Sequence, residues 1–245
     1  MKNPTELGKN RTGIDMSPID SKDVTTAAAA TVPPTPDRAA FDDIRRAYIE
    51  EADPVGTVPV PGALKGIAKS TMKKAAGKRP EVFIDKLGQR LQFERTGVRL
   101  YDAFILKCET LGMTEHLPNF SLDLLKEFRD EEFRHFAMVR DSMKKLGADP
   151  TAMTPAANVD AVASMGFVQA LNDPRTSIDE CLCVMLTAEL ADNDGWNTLI
   201  KMAATFGFDD LAADFRIAKT EEDRHLEHVR GWLNHFVIVS EAQAA

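Results

Sequence analysis

A Glu-x-x-His pair occurs twice in this chain, within RDEEFRHFAMVR at 129–140 and within KTEEDRHLEHVR at 219–230. The two pairs are Glu132 with His135 and Glu222 with His225. Residues three positions apart lie on the same face of a helix, so the carboxylate and the imidazole of each pair can reach one ion. These side chains are ligands that iron, manganese and zinc accept. One such pair is common on helices, and its meaning depends on what shares its core.

Carboxylates also interrupt the apolar stripes of two other helical segments. At spacings of three or four, the residues of these stripes are Ile84, Leu87, Leu91, Glu94, Val98, Tyr101 and Ile105, and then Leu182, Met185, Glu189, Asn193, Trp196 and Ile200. The stripes that contain the two Glu-x-x-His pairs are also apolar on either side of the pair. Each of the four stripes therefore carries a glutamate near the middle of an inward face.

Four carboxylates in one core need compensation, because each buried ion costs several kcal/mol. Protonation is one escape and basic partners are another, but the inward stripes carry no Lys or Arg at that level. Two divalent cations would cancel four glutamates in charge. The order Glu, Glu-x-x-His, Glu, Glu-x-x-His is the ligand set of di-iron and di-manganese carboxylate bundles. The predicted metal ligands are Glu94, Glu132, His135, Glu189, Glu222 and His225.

The elements that must position these ligands are long amphipathic helices. Four are predicted, at about 80–112, 121–147, 176–207 and 208–237. The first two and the last two are joined by short connections, which makes each pair an antiparallel hairpin. A connection of about 28 residues joins the hairpins and carries a short helix at 158–171. This long crossover predicts an all-α, ferritin-like four-helix bundle.

The two halves of this region also resemble each other. Six of the twelve positions in the segments 129–140 and 219–230 are identical. The repeated Glu-Glu-x-Arg-His at 131–135 and 221–225 resembles the motif of oxygen-activating members of the ferritin-like di-iron carboxylate superfamily. Glu94 with Tyr101 resembles the Glu-x6-Tyr pattern of its rubrerythrin-like members. The resemblance covers residues 80–237, about two thirds of the chain.

The resemblance implies a role for each residue of the motif. Glu94 and Glu189 would be terminal ligands, Glu132 and Glu222 would bridge two metals, and His135 and His225 would bind one metal each. Glu131 and Glu221 would each orient the histidine of the opposite helix. Arg134 and Arg224 would balance these two carboxylates. A solvated ion pair is the alternative for Glu131 with Arg134.

Further residues near the ligands have weaker signals. Tyr101 could hydrogen-bond a ligand or act as a redox neighbour, and filling the core is the alternative. Trp196 occupies the matching position in the third long helix, where core packing is favoured. Asp192 lies three residues after Glu189 and could be a seventh ligand.

Two metals about 3.5–4 Å apart with open positions can bind O2 or peroxide between them. The leading expectation is a non-haem di-iron oxidoreductase with two Fe ions, although Mn or a mixed Fe/Mn pair would accept the same ligands. The chain has no four-cysteine rubredoxin module, so an external electron donor would be needed. The alternatives are iron binding, storage or detoxification without an organic substrate, a manganese catalase-like enzyme, and a structural stress protein.

Composition limits the remaining choices. The net charge of −8 argues against nucleic-acid binding, and no apolar run is long enough to span a membrane. Three sparse cysteines fit a reducing compartment, so the cytoplasm is expected. Residues 1–36 are predicted to be a flexible arm, residues 37–79 an extension with short helices at 37–52 and 63–76, and residues 238–245 a tail. The extension could cap the bundle or mediate a homodimer.

Overall fold

The computed structural model describes residue 10 and residues 12–31, 38–59, 80–112 and 120–240. These ranges contain helices, turns and irregular segments but no strand, which places the described chain in the all-α class. The chain divides into two compact units, Met1–Asp53 and Pro54–Ala245. Within the described ranges, no helix is both long and apolar enough to cross a membrane.

The first unit contains a short 3-10 helix, Ile14–Met16, followed by α1, Pro18–Ala30, and α2, Arg38–Glu51. The α2 helix agrees with the helix predicted at 37–52. The α1 helix was not expected, because residues 1–36 were interpreted as an irregular arm. Its sequence explains it: proline at the first helical position has a suitable backbone angle, and the four alanines at 27–30 are the best helix formers. No residue of α1 is buried.

The second unit contains six α-helices within its described residues. They are α3, Pro80–Leu111; α4, Leu122–Lys145; α5, Pro155–Ala163; α6, Met165–Asn172; α7, Ile178–Thr205; and α8, Asp209–Asn234. A π-helical turn, His235–Ser240, follows α8. The single helix predicted at 158–171 is two helices, because Ser164 ends α5 and begins α6. The helix predicted at 63–76 lies outside the described residues.

Local sequence signals fix the ends of the long helices. The Ser121 hydroxyl accepts a hydrogen bond from the backbone N–H of Leu124 at 3.0 Å, which caps the start of α4. Ser177 and Glu180 form a reciprocal capping box at the start of α7. Gly147 and Gly207 follow α4 and α7 with φ angles of 82° and 72°, a conformation that glycine adopts without steric cost.

The long helices pack in pairs: α3 on α4, α7 on α8, α3 on α7 and α4 on α8. Their side chains form two apolar clusters, one including Phe104, Phe128 and Trp232 and the other including Leu87 and Phe215. All four long helices contribute to both clusters, and on each helix the predicted ligands lie at or next to the boundary between the two contributions. The core therefore contains a polar layer with apolar packing on both sides.

Most residues of the predicted inward stripes are buried in this core. Two are only half-buried, Val98 of α3 and Ile200 of α7. The stripe positions that carry polar groups, including Asn193, are buried. The apolar periodicity thus identified the inward faces correctly except at these two positions.

Candidate metal centre

The polar layer is inaccessible to solvent. The relative exposure of its residues is 0% for Glu94, 1% for Glu132, 0% for His135, 4% for Glu189, 0% for Glu222 and 0% for His225. Ionisable groups are rarely this buried unless they are paired or coordinate a metal. Each of the four long helices supplies part of the layer, α4 and α8 through Glu-x-x-His pairs and α3 and α7 through single glutamates.

The ligand atoms of these residues form two overlapping groups, in each of which they all lie within 4.8 Å of one another. The first group consists of Glu94, Glu132, His135 and Glu222, and the second of Glu132, Glu189, Glu222 and His225. Together they contain the six residues predicted as ligands, and Glu132 and Glu222 belong to both. These buried carboxylates and imidazoles could hold a metal ion.

Several atoms of the layer make no hydrogen bond although they are buried. They are Oε2 of Glu94, Oε2 of Glu132 and Oε2 of Glu189. A buried polar atom without a partner is costly and calls for an explanation such as an ion. These atoms are carboxylate oxygens, and Nδ1 of His135 lies 2.7 Å from Oε1 of Glu222 beside them; both are donor types of transition-metal sites. The residues therefore fit a metal centre.

Each histidine is oriented by a glutamate from the opposite hairpin. The Nε2 atom of His135 lies 2.7 Å from Oε2 of Glu221, and Nε2 of His225 lies 2.7 Å from Oε2 of Glu131. An ionised carboxylate only accepts hydrogen bonds, so Nε2 is the protonated nitrogen in each ring. The Nδ1 atoms then face the polar layer, where each can bind a metal once it is deprotonated.

Arginines neutralise these two outer glutamates. Arg224 contacts Glu131 at 2.5 Å, and Arg134 contacts Glu131 at 3.2 Å and Glu221 at 3.3 Å. Although burial opposes it, the bonds from His225 and Arg224 lower the pKa of Glu131. Glu131 therefore stays ionised, and the arginines keep the outer glutamates from adding to the uncompensated charge of the inner layer.

The inner carboxylates are far from their ordinary pKa values. Burial raises the pKa of Glu94 and of Glu189 from 4.5 to about 7, and it raises the pKa of Glu132 well above its usual range. Burial acts in the same direction on Glu222, but the two histidines outweigh it and lower its pKa to about 2. Without a bound cation, the layer therefore retains protons near neutral pH.

The pKa values of the two histidines are also raised, but for them burial acts in the opposite direction. Burial by itself would lower the pKa of His135, yet the close Glu222 carboxylate and the other glutamates raise it from 6.5 to about 9. The pKa of His225 is also raised, against the effect of burial, by Glu222 and its other carboxylate neighbours. Protons on these rings would be displaced when a cation binds, because a metal ligand must be deprotonated.

One residue of the centre was missed in the sequence. Arg90 of α3 is 5% exposed, and its Nη1 atom lies 3.2 Å from Oε1 of Glu94 and in direct contact with Oδ1 of Asp192. The prediction that the inward faces carry no Lys or Arg near the glutamates was therefore wrong. The spacing could have predicted this contact, because Arg90 lies four residues before Glu94 and shares its side of the helix.

The same contact corrects the expectation for Asp192. Its carboxylate is paired with Arg90, and Asp192 belongs to neither group of clustered ligand atoms. A buried carboxylate with a direct guanidinium partner is already compensated. The interpretation of Asp192 as a seventh ligand is therefore not supported, and its role is that of a counterion for Arg90.

Two glycines create the space that these side chains occupy. A Cβ atom on Gly97 of α3 would overlap the carboxylate of Glu132, and a Cβ atom on Gly195 of α7 would overlap the guanidinium of Arg90. Both lie within α-helices, where glycine is less favourable than alanine by about 1 kcal/mol. Their presence is explained by the close approach of the polar side chains from the facing helix.

Tyr101 lies against the second group of ligands. Its hydroxyl donates a hydrogen bond to Oε1 of Glu189 at 2.6 Å. Burial and the adjacent glutamates raise the pKa of the Tyr101 phenol well above 10, so the hydroxyl keeps its proton. The alternative interpretations of Tyr101 are both met in part, since it hydrogen-bonds a predicted ligand and also packs in the apolar core.

A small cavity lies beside the same residues. Its volume is about 10 Å³, and its lining includes Phe93, Tyr101, Glu132, Met185 and Glu189. This volume is close to the minimum needed for one water molecule. The space next to the carboxylates therefore suits about one water-sized molecule.

Comparison with protein-family models, with curated proteins and with solved structures finds no match to this chain. Inferences about function therefore depend on the residues and their geometry.

Proposed function

We propose that residues 80–237 form a ferritin-like four-helix bundle around a dinuclear metal centre that reacts with O2 or peroxide. The pairing of α3 with α4 and of α7 with α8, joined by the long connection that contains α5 and α6, supports this topology. Two iron ions are the favoured metals, with manganese or a mixed pair as the alternative that uses the same ligands.

The observation that carries the proposal is the overlap of the two ligand groups. Glu132 and Glu222 belong to both groups, while each group has a glutamate and a histidine of its own. Two ions held in this way would share the central carboxylates. In number of charges, two divalent cations match the four glutamates, which explains how such a layer can lie in a core.

The residues around the proposed ligands have distinct roles in this proposal. Glu131 and Glu221 hold the histidine rings with Nδ1 turned inward. Tyr101 keeps one oxygen of Glu189 occupied, and the other oxygen is left for an ion. If metals are bound there in reduced form, they would supply electrons to a small oxidant, and the apolar clusters on both sides exclude water from the site.

The size of the cavity beside Glu132 and Glu189 bears on the choice of substrate. A volume of about 10 Å³ is that of one water-sized molecule, which favours a small oxidant over an organic substrate. The second candidate function is therefore iron binding and detoxification, in which the oxidant acts only on the bound metal. An oxidase with an external electron donor would differ from it by turning over repeatedly.

The first experiment measures metal and oxidant together. Metal-free protein is loaded with Fe2+ without oxygen, the bound metal per chain is determined, and O2 or peroxide consumption is then followed. We expect two ions per chain and consumption that Glu132→Gln abolishes. Glu227→Gln, an exposed position on α8, serves as the matched control and should behave as the wild type.

The outcomes separate the candidates. Both outcomes are compared in the presence of a chemical reductant. Consumption that stops after one equivalent of oxidant per metal pair favours detoxification, whereas continued consumption favours an oxidoreductase. A wild-type protein that binds no divalent metal would overturn the proposed function. Activity only with manganese and peroxide would favour the catalase-like alternative.

A further inference from the structure

Arg90 has the most unusual surroundings of the cations in the described residues that contact the polar layer. The Nη1 atom lies 3.3 Å from the backbone oxygen of Asp192, in direct contact with the Asp192 carboxylate, and 3.2 Å from Glu94. The guanidinium carbon also lies 4.8 Å from the centre of the Phe93 ring and 5.6 Å from that of Trp196. One nitrogen thus occupies a pocket of three oxygens beneath aromatic rings.

This pocket has the composition of a cation site. It combines two carboxylates and a carbonyl oxygen, which are ligands that divalent metals accept. Glu94 also belongs to the first ligand group, so an ion in the pocket would be adjacent to the proposed metal pair. The guanidinium group of Arg90 occupies this position in place of a metal ion.

The charges agree with such a role. When ionised, the four inner glutamates and Asp192 carry five negative charges, and Arg90 carries one positive charge. Four negative charges remain, which two divalent cations would neutralise. Without Arg90, the same core would have an uncompensated carboxylate next to Glu94.

Arg90 also separates the polar layer from the surface. A groove of about 270 Å³ is lined by Arg90 and Phe93 together with Lys86, Asp160, Asp194 and Gly195. Arg90 therefore faces this groove and contacts Glu94 on its inner side. Gly195 permits this placement, because any Cβ atom there would overlap the guanidinium.

We propose that Arg90 is a built-in cation that closes the metal centre on the side of this groove and limits it to two divalent ions. The inference rests on the proposed function, since it assumes the metal pair. Arg90 holds Asp192 out of the ligand set and leaves one oxygen of Glu94 for the pair. It acts through Glu94 and Asp192 and is a positioning residue.

The test counts bound ions during titration with Mn2+, whose free form is measured by electron paramagnetic resonance. We expect two ions in the wild type and a third in Arg90→Ala, bound by Glu94 and Asp192. Arg90→Lys keeps the charge and should bind two. Arg90→Ala combined with Asp192→Asn should return to two, and Arg95→Ala, an exposed arginine of the same helix, is the matched control.

Asp192→Asn tests the proposal without removing Arg90, in case Arg90→Ala does not fold. The whole charge of Arg90 then acts on Glu94, and we expect one of the two ions to bind about tenfold to a hundredfold more weakly. A wild type with two ions, together with an Arg90→Ala protein that also binds two or an Asp192→Asn protein of unchanged affinity, would overturn this inference and leave the proposed function intact. A wild type that binds no ion would overturn both.

Discussion

The two ligand groups of the proposed metal centre look equivalent in the sequence but have different surroundings. In the first group, one oxygen of Glu94 is held by the cationic guanidinium of Arg90. In the second group, one oxygen of Glu189 is held by the neutral hydroxyl of Tyr101. In both glutamates the other oxygen has no hydrogen bond. The repeat therefore supplies matching ligands, while the residues around them make the two positions electrostatically distinct.

The outer glutamates differ in the same way. The side chain of Glu131, which orients His225, is 5% exposed, whereas that of Glu221, which orients His135, is 28% exposed. Charge interactions are stronger in the less solvated environment. In the group that contains His225, Glu189 thus accepts a hydrogen bond from a neutral donor, and the glutamate that orients the histidine, Glu131, is more deeply buried. These differences lead to predictions about which changes affect both ions and which affect one.

The largest effect is expected from the ligands that both groups share. Glu222→Gln removes a charge common to the two groups and should abolish the binding of both ions, whereas Glu94→Gln should remove one. Bound metal per chain after loading with Fe2+ in the absence of oxygen measures the difference. Retention of two ions by the Glu222→Gln protein would contradict the assignment of a shared ligand.

The next effect concerns stability as a function of pH. The folded-state pKa of Glu94 and Glu189 is about 7 against 4.5 ordinarily, and that of His135 is about 9 against 6.5. These groups bind more protons in the folded state, so the stability they contribute is lost as pH rises from 4.5 to 9. Glu222, whose pKa is about 2, loses its contribution only in acid below 4.5.

The metal-free protein should therefore melt at progressively lower temperature between pH 4.5 and 9. Bound cations replace these protons, so the gain in melting temperature from metal should grow across the same range. Thermal melts with and without Mn2+ measure both trends. A metal-free protein whose melting temperature rises with pH throughout this window would contradict the protonation scheme.

A smaller effect is expected from the glutamates that orient the histidines. Substitutions of such supporting residues typically weaken metal binding about tenfold to a hundredfold. Glu131→Gln should cost more affinity than Glu221→Gln, because Glu131 is more buried. Titration with Mn2+ measures both. Glu127→Gln is the control, since Glu127 contacts Arg224 at 2.8 Å without reaching a histidine; equal losses in all three proteins would refute the difference.

The smallest effect on binding is expected from Tyr101→Phe. The change removes one hydrogen bond from an uncharged donor to the Glu189 carboxylate, which contributes about 1.5 kcal/mol, or about a tenfold change in affinity. Two ions should still bind. The rate of O2 or peroxide consumption provides a second measurement, and a loss of rate much larger than the loss of affinity would favour the role of Tyr101 as a redox neighbour.

The sequence predicted the elements of the second unit well because their signals are local. Capping residues such as Ser121 and Ser177, glycines after helix ends and apolar periodicity act within a few turns of the chain. The α1 helix was not predicted, because a polar segment with an alanine run was interpreted by its composition alone. The α5 and α6 helices were predicted as one, since their break at Ser164 has no proline or glycine to mark it.

The sequence by itself determined which residues could form the centre, because Glu-x-x-His spacing and interrupted apolar stripes place side chains on defined helix faces. Only the tertiary structure decided how these residues are paired. It joined Arg90 to Asp192 across 102 positions of the chain and Glu131 to His225 across 94. Such contacts depend on helix packing and on the space left by Gly97 and Gly195, which no local pattern specifies. For this reason the residues that cluster in the core were predictable, and the asymmetry between the two groups was not.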